Sequence, residues 1–394
     1  MKILILWPSG HVESKDNRPV VRRKVWDNYC EDMNRGDLFV YESTLRLLDC
    51  TEIEEVPISL SLITEELYNH YNQKFDFLIL RGSNYIRNDG GLGAWKEFFN
   101  KIQIPILAFG IGAQASTTSE KINLDPDVID SLRIIAEKTV HSIGVRGNHT
   151  AELLNEFGIK NVSVIGCPSI FRELNPKLKI DFNSTELKYI NFTTHPYLGG
   201  LYTRNAELSR AAQVKLISQI YDCNYEIQYL TQGIAAETKI AYKTDIEAGV
   251  KELQKLGWFS TLDPTFTTRF VENSYCFETA NEYYEYSANG QINIGVRLHG
   301  NITALAMGKP AIFVTYDSRT SELANYFGIP TLGESEILNG INFEDVIQNL
   351  NFDAFNSTFP INYARMENFL NSNGVKHLLT NGPQAQLPAV KSVL

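Results

Sequence analysis

The chain has 394 residues, 43% of them hydrophobic, and this length suits two domains with full cores better than one. The formal net charge of −10 argues against a general nucleic-acid-binding protein, although it leaves room for a local basic pocket that binds a small anion. No apolar run approaches the roughly 18 residues of a membrane span, and the N-terminal MKILILWPSGH lacks the length and cleavage site of a signal peptide.

Short apolar runs alternate with helical patterns from the first residues onward, which is typical of a parallel α/β sheet. In the first part of the chain the pattern predicts strands at 3–6, 75–80, 104–109, 142–145 and 162–165. It predicts helices at 38–49, 126–140 and 148–157. Residues 8–34 are polar and charged, so we expect a long insertion that forms a site loop. Within it, Arg22-Arg23-Lys24 is either a solvated face or a group that steers the substrate.

A polar boundary at 172–187 separates this part from a second run of alternating elements. There the pattern predicts strands at 189–193, 226–230, 292–296 and 311–314, and a short run near Thr331. The predicted helices are 207–221, 245–256, one beginning near Leu298, 321–327 and, in the tail, 343–350 and 361–371. The fold class is therefore α/β, with two Rossmann-like domains at 1–175 and 186–355 and a helical tail at 356–394.

The ends of the predicted strands are unusually polar and rich in glycine. They read RGSN at 81–84, GIGAQ at 110–114, VRG at 145–147, GCPS at 166–169 and VRLHG at 296–300. Ligands of doubly wound sheets bind outside the carboxyl ends of the strands, and glycine lets the backbone approach a ligand closely. Gly110 and Gly112 are candidates for such contacts, with plain turn residues as the alternative. The GIGAQ spacing does not match a dinucleotide fingerprint, so we do not expect NAD.

Arg297 and His299 stand just beyond a buried strand, where a charge has few structural uses. Alternation places them on one side of the chain and Leu298 on the other. Arginine offers a planar fork for carboxylate or phosphate, and histidine titrates near neutrality. The alternative is an ion pair between the domains together with a core histidine. Arg146 occupies the same position after its own strand.

Two further candidates have a structural alternative as well. Asp37 follows Gly36 at a helix start, where a carboxylate can simply cap backbone amides. His195 ends a predicted strand and could line the cleft. The five cysteines are scattered without zinc spacing, which predicts reduced thiols in a cytoplasmic protein, and we expect no metal site.

Taken in order, these motifs resemble the polysaccharide pyruvyl transferase family. The resemblance covers roughly residues 1–335. It rests on Asn34-Arg35-Gly36-Asp37, RGSN, GIGAQ, VRG followed by GCPS, and VRLHG followed by ALAMGKPAIFVTYDSRTSELANYFGIP. It implies two Rossmann-like domains that face each other across a cleft, as in GT-B glycosyltransferases. By analogy with that fold, the C-terminal helix would cross back to the first domain.

The resemblance implies that pyruvate is transferred from phosphoenolpyruvate to two hydroxyls of one sugar, giving a cyclic ketal. Phosphoenolpyruvate is the co-substrate, no other cofactor and no metal are implied, and the partner is a saccharide acceptor. A lipid-linked acceptor would place the protein at the inner membrane face. His299 and Asp37 are the implied catalytic residues. The implied substrate-binding residues are Arg297, Leu298, Arg146, Gly110, Gly112, Asn34, Arg81, Asn84 and Arg319.

The chain also departs from the family pattern. About 27 residues separate the first strand from the Asn34 motif, Ser83 replaces a commoner glycine, and Arg319 stands where lysine is frequent. Two other functions stay open at this point. One is a GT-B glycosyltransferase that uses a nucleotide sugar, and the other is a non-catalytic relative that binds anionic glycans.

Overall fold

In a computed structural model, the chain is described at residues 1–15, 18–23, 34–87, 91–118, 120–198, 203, 205–259, 265–379 and 389–391. It divides into two compact units, each assembled from separate segments. Unit 1 comprises Met1–Val21, Val40–Lys177 and Phe359–Leu394, and unit 2 comprises Arg22–Phe39 and Leu178–Thr358.

The β-strands are numbered in chain order. They are β1 (Lys2–Leu6), β2 (His11–Lys15), β3 (Arg18–Arg22), β4 (Glu52–Glu55), β5 (Phe77–Arg81), β6 (Ile106–Ile111), β7 (Ile143–Val145), β8 (Val162–Val164), β9 (Tyr189–Thr193), β10 (Glu226–Leu230), β11 (Ser274–Tyr275), β12 (Asn293–Gly295), β13 (Ala311–Thr315), β14 (Thr331–Gly333) and β15 (Ala389–Lys391).

The α-helices follow the same order. They are α1 (Arg35–Leu47), α2 (Glu65–Lys74), α3 (Lys96–Lys101), α4 (Pro126–Lys138), α5 (Asn148–Glu156), α6 (Ala206–Asp222), α7 (Ala235–Ala241), α8 (Ile246–Lys255), α9 (Thr265–Glu272), α10 (Ala280–Asn289), α11 (Leu298–Ala306), α12 (Ser318–Phe327), α13 (Glu334–Asn339), α14 (Phe343–Gln348) and α15 (Asp353–Ser372).

Unit 1 is built on a seven-stranded sheet in the order β15-β4-β1-β5-β6-β7-β8, and its described strand pairs are parallel. The central strands β1 and β6 are buried along almost their whole length, as expected when helices cover both faces of a parallel sheet. The order reverses between β1 and β5, so the ends of these two strands form a topological switch point.

The C-terminal helix α15 begins in unit 2 and ends in unit 1. In unit 1 the ring of Phe369 stacks on Phe109 with centroids 6.2 Å apart, and Phe359 lies 5.6 Å from Phe171. The expectation that the C-terminal helix returns to the first unit is therefore confirmed.

Unit 2 is built on a six-stranded parallel sheet in the order β11-β10-β9-β12-β13-β14. The chain adds β10 and β11 on one side of β9 and β12 to β14 on the other, which is the strand order of dinucleotide-binding Rossmann sheets. Together with the sheet of unit 1, this confirms the predicted α/β class and the two Rossmann-like units.

The structure differs from the sequence prediction in three places. The insertion at 8–34 was expected to be a loop, but β2 and β3 pair within it as a two-stranded sheet; Lys24 lies outside the described residues. Strands β4, β11 and β15 and helices α2, α3, α7, α9, α10 and α13 were not predicted. Residues 22–39 group with unit 2 and residues 359–394 with unit 1, whereas the sequence placed domain limits at 175 and 355.

Of the helices in the described ranges, none combines the length and apolarity that a membrane-spanning segment requires.

Candidate functional site

Four neighbouring strands of unit 2, β10, β9, β12 and β13, end at the same edge of the sheet, and polar side chains follow each of them. The switch point of this sheet lies between β9 and β12. We call this group of residues the second-unit edge, and it consists of Gln232, Thr194, His195, Arg297, Leu298, His299, Asp317 and Arg319.

Arg297 lies at the switch point and is 7% exposed. Its Nε donates to the Thr194 carbonyl oxygen at 2.8 Å, and one terminal nitrogen lies 3.4 Å from Glu237 Oε2. The other Glu237 oxygen accepts from the Thr194 hydroxyl at 2.6 Å. A guanidinium carries five N–H donors, so the remaining ones can bind an anion. Arg297 does form an ion pair, but its partner Glu237 belongs to unit 2 as well, so this pair is not the interdomain one considered from the sequence.

Glu237 is fully buried on helix α7 and was not predicted as a site residue. Burial raises the pKa of this carboxyl, while Arg297 and the Thr194 hydroxyl act in the opposite direction. Arg35 also lowers the pKa of Glu237 through its charge. The carboxyl therefore interacts with the charges of two buried arginines, and its contact with Arg297 helps to orient that guanidinium.

His195 follows β9 and is buried next to the cations of the second-unit edge. Burial holds the pKa of its imidazole well below the ordinary value, and the charges of Arg297 and Arg319 lower it further. The ring is neutral at neutral pH, and each of the two arginines has a buried carboxylate partner, Glu237 for Arg297 and Asp317 for Arg319.

His299 is half-buried in the first turn of α11, directly against the beginning of α1. A Cβ atom added at Gly36 would lie 3.0 Å from His299 Nδ1, 3.1 Å from Asn34 Oδ1 and 3.4 Å from Gln232 Oε1. Glycine at 36 is therefore the residue that lets these polar groups meet. The Asn34 motif and the RLHG block lie far apart in the sequence but belong to one site in unit 2.

Asn34, rather than Asp37, caps the beginning of α1. The Asn34 side-chain oxygen accepts from the Gly36 amide at 3.0 Å, and its carbonyl accepts from the Asp37 amide at 3.1 Å. Asp37 is half-buried in the first turn, where a carboxylate interacts favourably with the helix dipole. Asn34 therefore supplies the helix N-cap that was considered for Asp37 from the sequence.

Arg35 is a buried cation that sequence reasoning passed over, although it stands inside the quoted motif. It is fully buried, and its guanidinium donates to the Phe277 carbonyl and to the Tyr242 hydroxyl, each at 3.4 Å. Its backbone amide donates to the Gln232 carbonyl at 2.9 Å. Arg35 therefore fastens the beginning of α1 to the segment that follows β10.

Arg319 and Leu298 complete the second-unit edge. Arg319 Nε donates to Asp317 Oδ2 at 2.5 Å and a terminal nitrogen donates to the Tyr316 hydroxyl at 2.9 Å. The Leu298 side chain is buried in the core, so a ligand can meet this residue only through its backbone amide, which begins α11 and has no partner within the helix.

In unit 1 the structure brings four predicted residues together where β5, β6 and β7 end. Arg146 is buried; its Nε donates to the Gly110 carbonyl at 3.1 Å and a terminal nitrogen donates to Asn84 Oδ1 at 2.7 Å. A Cβ at Gly112 would lie 3.0 Å from Arg146 Cδ. Gly110 interrupts the β6–β7 pairing with φ +79°, and a Cβ there would lie 2.7 Å from Pro168 Cδ. The close packing around Gly110 and Gly112 is therefore itself a reason for glycine at both positions, independent of any ligand.

Arg81, the fifth predicted residue of unit 1, lies at the switch point between β1 and β5. Its Nε donates to the Trp7 carbonyl at 2.5 Å and a terminal nitrogen donates to the Ser9 hydroxyl at 2.6 Å. Trp7 has φ +54°, which is unusual for a residue other than glycine. These contacts tie the turn after β1 to the end of β5.

The described residues contain no group of three His, Cys, Asp or Glu side chains arranged to hold a metal ion. What the described part of the second-unit edge offers instead is two arginines, each paired with a carboxylate, together with one neutral buried histidine, one half-buried histidine and amide donors. Such a set suits an anionic ligand and a proton transfer beside it.

A sequence model of the polysaccharide pyruvyl transferase family matches residues 34–318 of the chain. The matched range begins at Asn34 and ends one residue before Arg319. It therefore contains the beginning of α1 and nearly all of the second-unit edge. Comparison of the sequence with curated proteins gave no match.

Among solved structures, the chain is similar to the UDP-GlcNAc 2-epimerase of Methanocaldococcus jannaschii in complex with UDP-GlcNAc and UDP, with 12% identity over 94% of this chain and 100% of that one and a TM-score of 0.49. It is also similar to MnaA of S. aureus bound to UDP, with 12% identity, coverage of 95% and 99%, and a TM-score of 0.46. For HepE of Anabaena in complex with UDP and glucose the identity is 12%, the coverage 95% and 97%, and the TM-score 0.45. At these values the solved structures identify neither a substrate nor a reaction for this chain.

Proposed function

Since the chain belongs to the polysaccharide pyruvyl transferase family, we propose that it moves pyruvate from phosphoenolpyruvate onto two hydroxyls of one sugar in a polysaccharide or its precursor. The observation that carries this proposal is the meeting of Arg297, His299 and the Asn34–Gly36 turn at the switch point of the second sheet. An anion-binding fork and a titratable ring lie there at the same strand end.

Phosphoenolpyruvate carries a carboxylate and a phosphate, so its binding site needs more than one group that recognises anions. In the proposed role, the outward N–H donors of Arg297 bind one anionic group. The Leu298 amide and Arg319 are further candidates, because helix N-termini and arginines both favour negative charge. Within unit 1, Arg146 is a separate proposed anion-binding residue, and Arg81, Asn84, Gly110 and Gly112 are its proposed substrate-binding neighbours.

The proposed reaction has two bond-forming steps at C2 of the donor. One sugar hydroxyl adds to C2 and gives up its proton to a base, while the methylene carbon gains a proton from an acid. The second hydroxyl then replaces phosphate at C2, which closes the cyclic ketal and leaves its proton with the departing phosphate or a nearby base. The overall change consumes a diol and phosphoenolpyruvate, releases phosphate and involves no oxidation or reduction, so it requires no redox cofactor, and the proposal includes no metal ion.

His299 is proposed to carry one of these proton transfers or to contact the leaving phosphate, with Asp37 and Asn34 as proposed neighbours at the beginning of α1. An unperturbed histidine titrates near pH 6.5, which suits proton transfer close to neutrality. His299→Gln keeps a polar side chain but cannot transfer a proton, so turnover should fall about 100-fold or more. Near-wild-type turnover of this variant would remove His299 from the mechanism.

A thermal-shift screen separates the proposal from a nucleotide-sugar glycosyltransferase and from a non-catalytic glycan-binding protein. A ligand that binds only the folded state raises its unfolding temperature by mass action. We expect a shift with phosphoenolpyruvate at millimolar concentration and none with UDP-glucose or UDP-GlcNAc. A shift with a nucleotide sugar and none with phosphoenolpyruvate would overturn the proposed donor.

A further inference from the structure

Unit 2 contains a groove of about 420 Å³ that the proposed reaction does not use. It lies at the beginning of β10, whereas the second-unit edge lies at the ends of β10, β9, β12 and β13. Its volume falls within the roughly 300–1,000 Å³ of typical small-molecule sites. The residues that matter for its chemistry are Tyr221, Asn224, Tyr225, Gln228, Arg269 and Asn273.

Two half-buried tyrosine rings line the groove and are held in place by their neighbours, among which Arg269 covers one face of the Tyr221 ring. The Tyr221 hydroxyl pairs with that of Tyr229 at 2.7 Å, and the Arg269 guanidinium lies 4.6 Å from the centre of the Tyr221 ring. The Tyr225 ring lies 6.1 Å from that of Phe343. Fixed aromatic faces with polar edges suit a ligand that has an apolar face and a polar rim.

Planar amide groups surround these rings. Gln228 Oε1 accepts from the Tyr286 hydroxyl at 2.5 Å, and its Nε2 forms no hydrogen bond to any residue the structure describes. Asn273 Nδ2 donates to the Arg269 carbonyl at 3.0 Å, which directs its oxygen away as an acceptor. Asn224 is exposed, in a left-handed conformation with φ +60°. The groove thus offers both donors and acceptors at fixed positions.

The charges in the groove are balanced. Arg269 is accompanied by the carboxylate of Glu226, and the Tyr225 hydroxyl donates to Glu344 Oε2 at 3.4 Å. Helices α6 and α9 both end beside the groove, and helix C-termini present partial negative charge. These features disfavour an anionic ligand and favour one that is neutral and rich in hydroxyls.

From this combination we propose that the groove binds a neutral stretch of carbohydrate chain. The inference rests on the proposed function in one respect, because it takes the acceptor to be a polysaccharide chain rather than a short precursor. Four to six strand residues separate the groove from the second-unit edge, a distance of roughly 15–20 Å. The groove therefore holds sugars remote from the reacting unit and anchors the acceptor polymer.

Direct binding measurements test this inference. Isothermal titration would use cellohexaose, mannohexaose and galactohexaose as neutral probes and hexagalacturonic acid as the anionic probe. We expect at least one neutral hexasaccharide to bind, and to bind more tightly than the anionic one. Arg269→Ala should weaken that binding about tenfold, which corresponds to about 1.4 kcal/mol. The matched control is Arg133→Ala, which removes an exposed arginine from unit 1 and should leave the affinity unchanged.

Tyr221 supplies a second, independent variant. Tyr221→Phe keeps the ring and should preserve binding, whereas Tyr221→Ala removes the stacking face and should lose it. Arg269→Ala keeps the inference testable if Tyr221→Ala does not fold. The inference is overturned if no neutral hexasaccharide binds, if hexagalacturonic acid binds more tightly, or if Arg269→Ala binds like the wild type.

These titrations contain no phosphoenolpyruvate, so their result is independent of the transfer reaction. Binding of a hexasaccharide without any pyruvyl transfer would support the carbohydrate site and count against the proposed function. Pyruvyl transfer to an acceptor without any hexasaccharide binding would support the proposed function and contradict the carbohydrate site.

Discussion

Gly36 illustrates at the scale of a single residue how the site is assembled. Its missing side chain allows His299 Nδ1 and Asn34 Oδ1 to approach the first turn of α1. Neither motif alone reveals this contact, because it joins residues more than 260 positions apart in the chain.

Gly36→Ala should lower the activity of the protein without lowering its stability. The added methyl group would push the His299 ring by a few tenths of an ångström, and we expect turnover to fall about tenfold, since small displacements of catalytic groups are costly. The unfolding temperature should stay the same or rise, because alanine is favoured over glycine in a helix by about 1 kcal/mol. Ketal formation and thermal unfolding measure the two effects.

Gly333→Ala is the control for this variant. Gly333 also lies at a helix beginning in unit 2, and a Cβ there would meet no atom within 4 Å. It should leave turnover unchanged. If Gly36→Ala turned over at the wild-type rate, the close approach of Gly36 to His299 would have no catalytic importance.

The burial of His195 leads to a prediction about how the unfolding free energy of the protein changes at acidic pH. Burial lowers the pKa of its imidazole in the folded protein, so the unfolded chain takes up a proton near pH 6.5 while the folded one stays neutral. The stabilisation is present above pH 6.5 and is lost as the pH falls toward the folded-state pKa. His195→Gln should therefore show a shallower loss of unfolding free energy below pH 6.5, by at most about 1.4 kcal/mol per pH unit.

Urea unfolding at pH 7, 6 and 5 provides the measurement, with the exposed His141→Gln as the control. Some slope should remain in both variants, because burial also lowers the pKa of His149 and His377. Parallel curves for the wild type and His195→Gln would show that His195 does not contribute.

The strand-end residues Arg297, His299 and Arg146 could be selected from sequence because a polar group directly after an apolar run is conspicuous. Their neighbours Glu237 and Gln232 could not, since each stands in an ordinary polar context and becomes important only through burial. Arg35 had a usable signal, namely its position inside the motif beside Gly36. Its complete burial is a tertiary effect that the local pattern does not contain.

At the scale of elements, the sequence predicted the buried strands well and the exposed or charged ones poorly. Strands such as β1 and β9 are apolar runs with no competing interpretation. Strand β4 reads Glu-Ile-Glu-Glu, and it is a strand because Glu54 and Glu55 find partners in Lys74 and the Tyr41 hydroxyl within unit 1. Such compensation by distant residues cannot be read from the local pattern.

Helix α15 provides the prediction at this scale. Phe369 is buried against unit 1 beside Phe109, so Phe369→Ala should lower the unfolding free energy by about 3–5 kcal/mol. Ile361 lies on the same helix but is 54% exposed, so Ile361→Ala should cost well under 1 kcal/mol. Urea unfolding of both variants tests whether the helix stabilises the protein through this face; equal losses would contradict it.

At the scale of the whole molecule, the sequence predicted two Rossmann-like units and the family to which the chain belongs. It did not predict that residues 22–39 belong to unit 2, because the sequence distance to β9 gives no sign of this return. That placement matters for function, since it brings the Asn34 motif to His299 within a single unit. The protein is acidic overall, yet three buried or nearly buried arginines, Arg35, Arg297 and Arg319, lie around one strand edge, where Glu237 and Asp317 offset part of their charge.

Isothermal titration of phosphoenolpyruvate into the wild type, Arg297→Ala and Arg133→Ala tests the central claim most directly, because it requires no knowledge of the acceptor. We predict that the wild type and Arg133→Ala bind the donor equally well and that Arg297→Ala binds it at least tenfold more weakly, since a charge-assisted contact contributes more than about 1.4 kcal/mol. Equal affinity in all three proteins, or no binding of phosphoenolpyruvate while UDP-GlcNAc binds, would contradict a donor site at the second-unit edge.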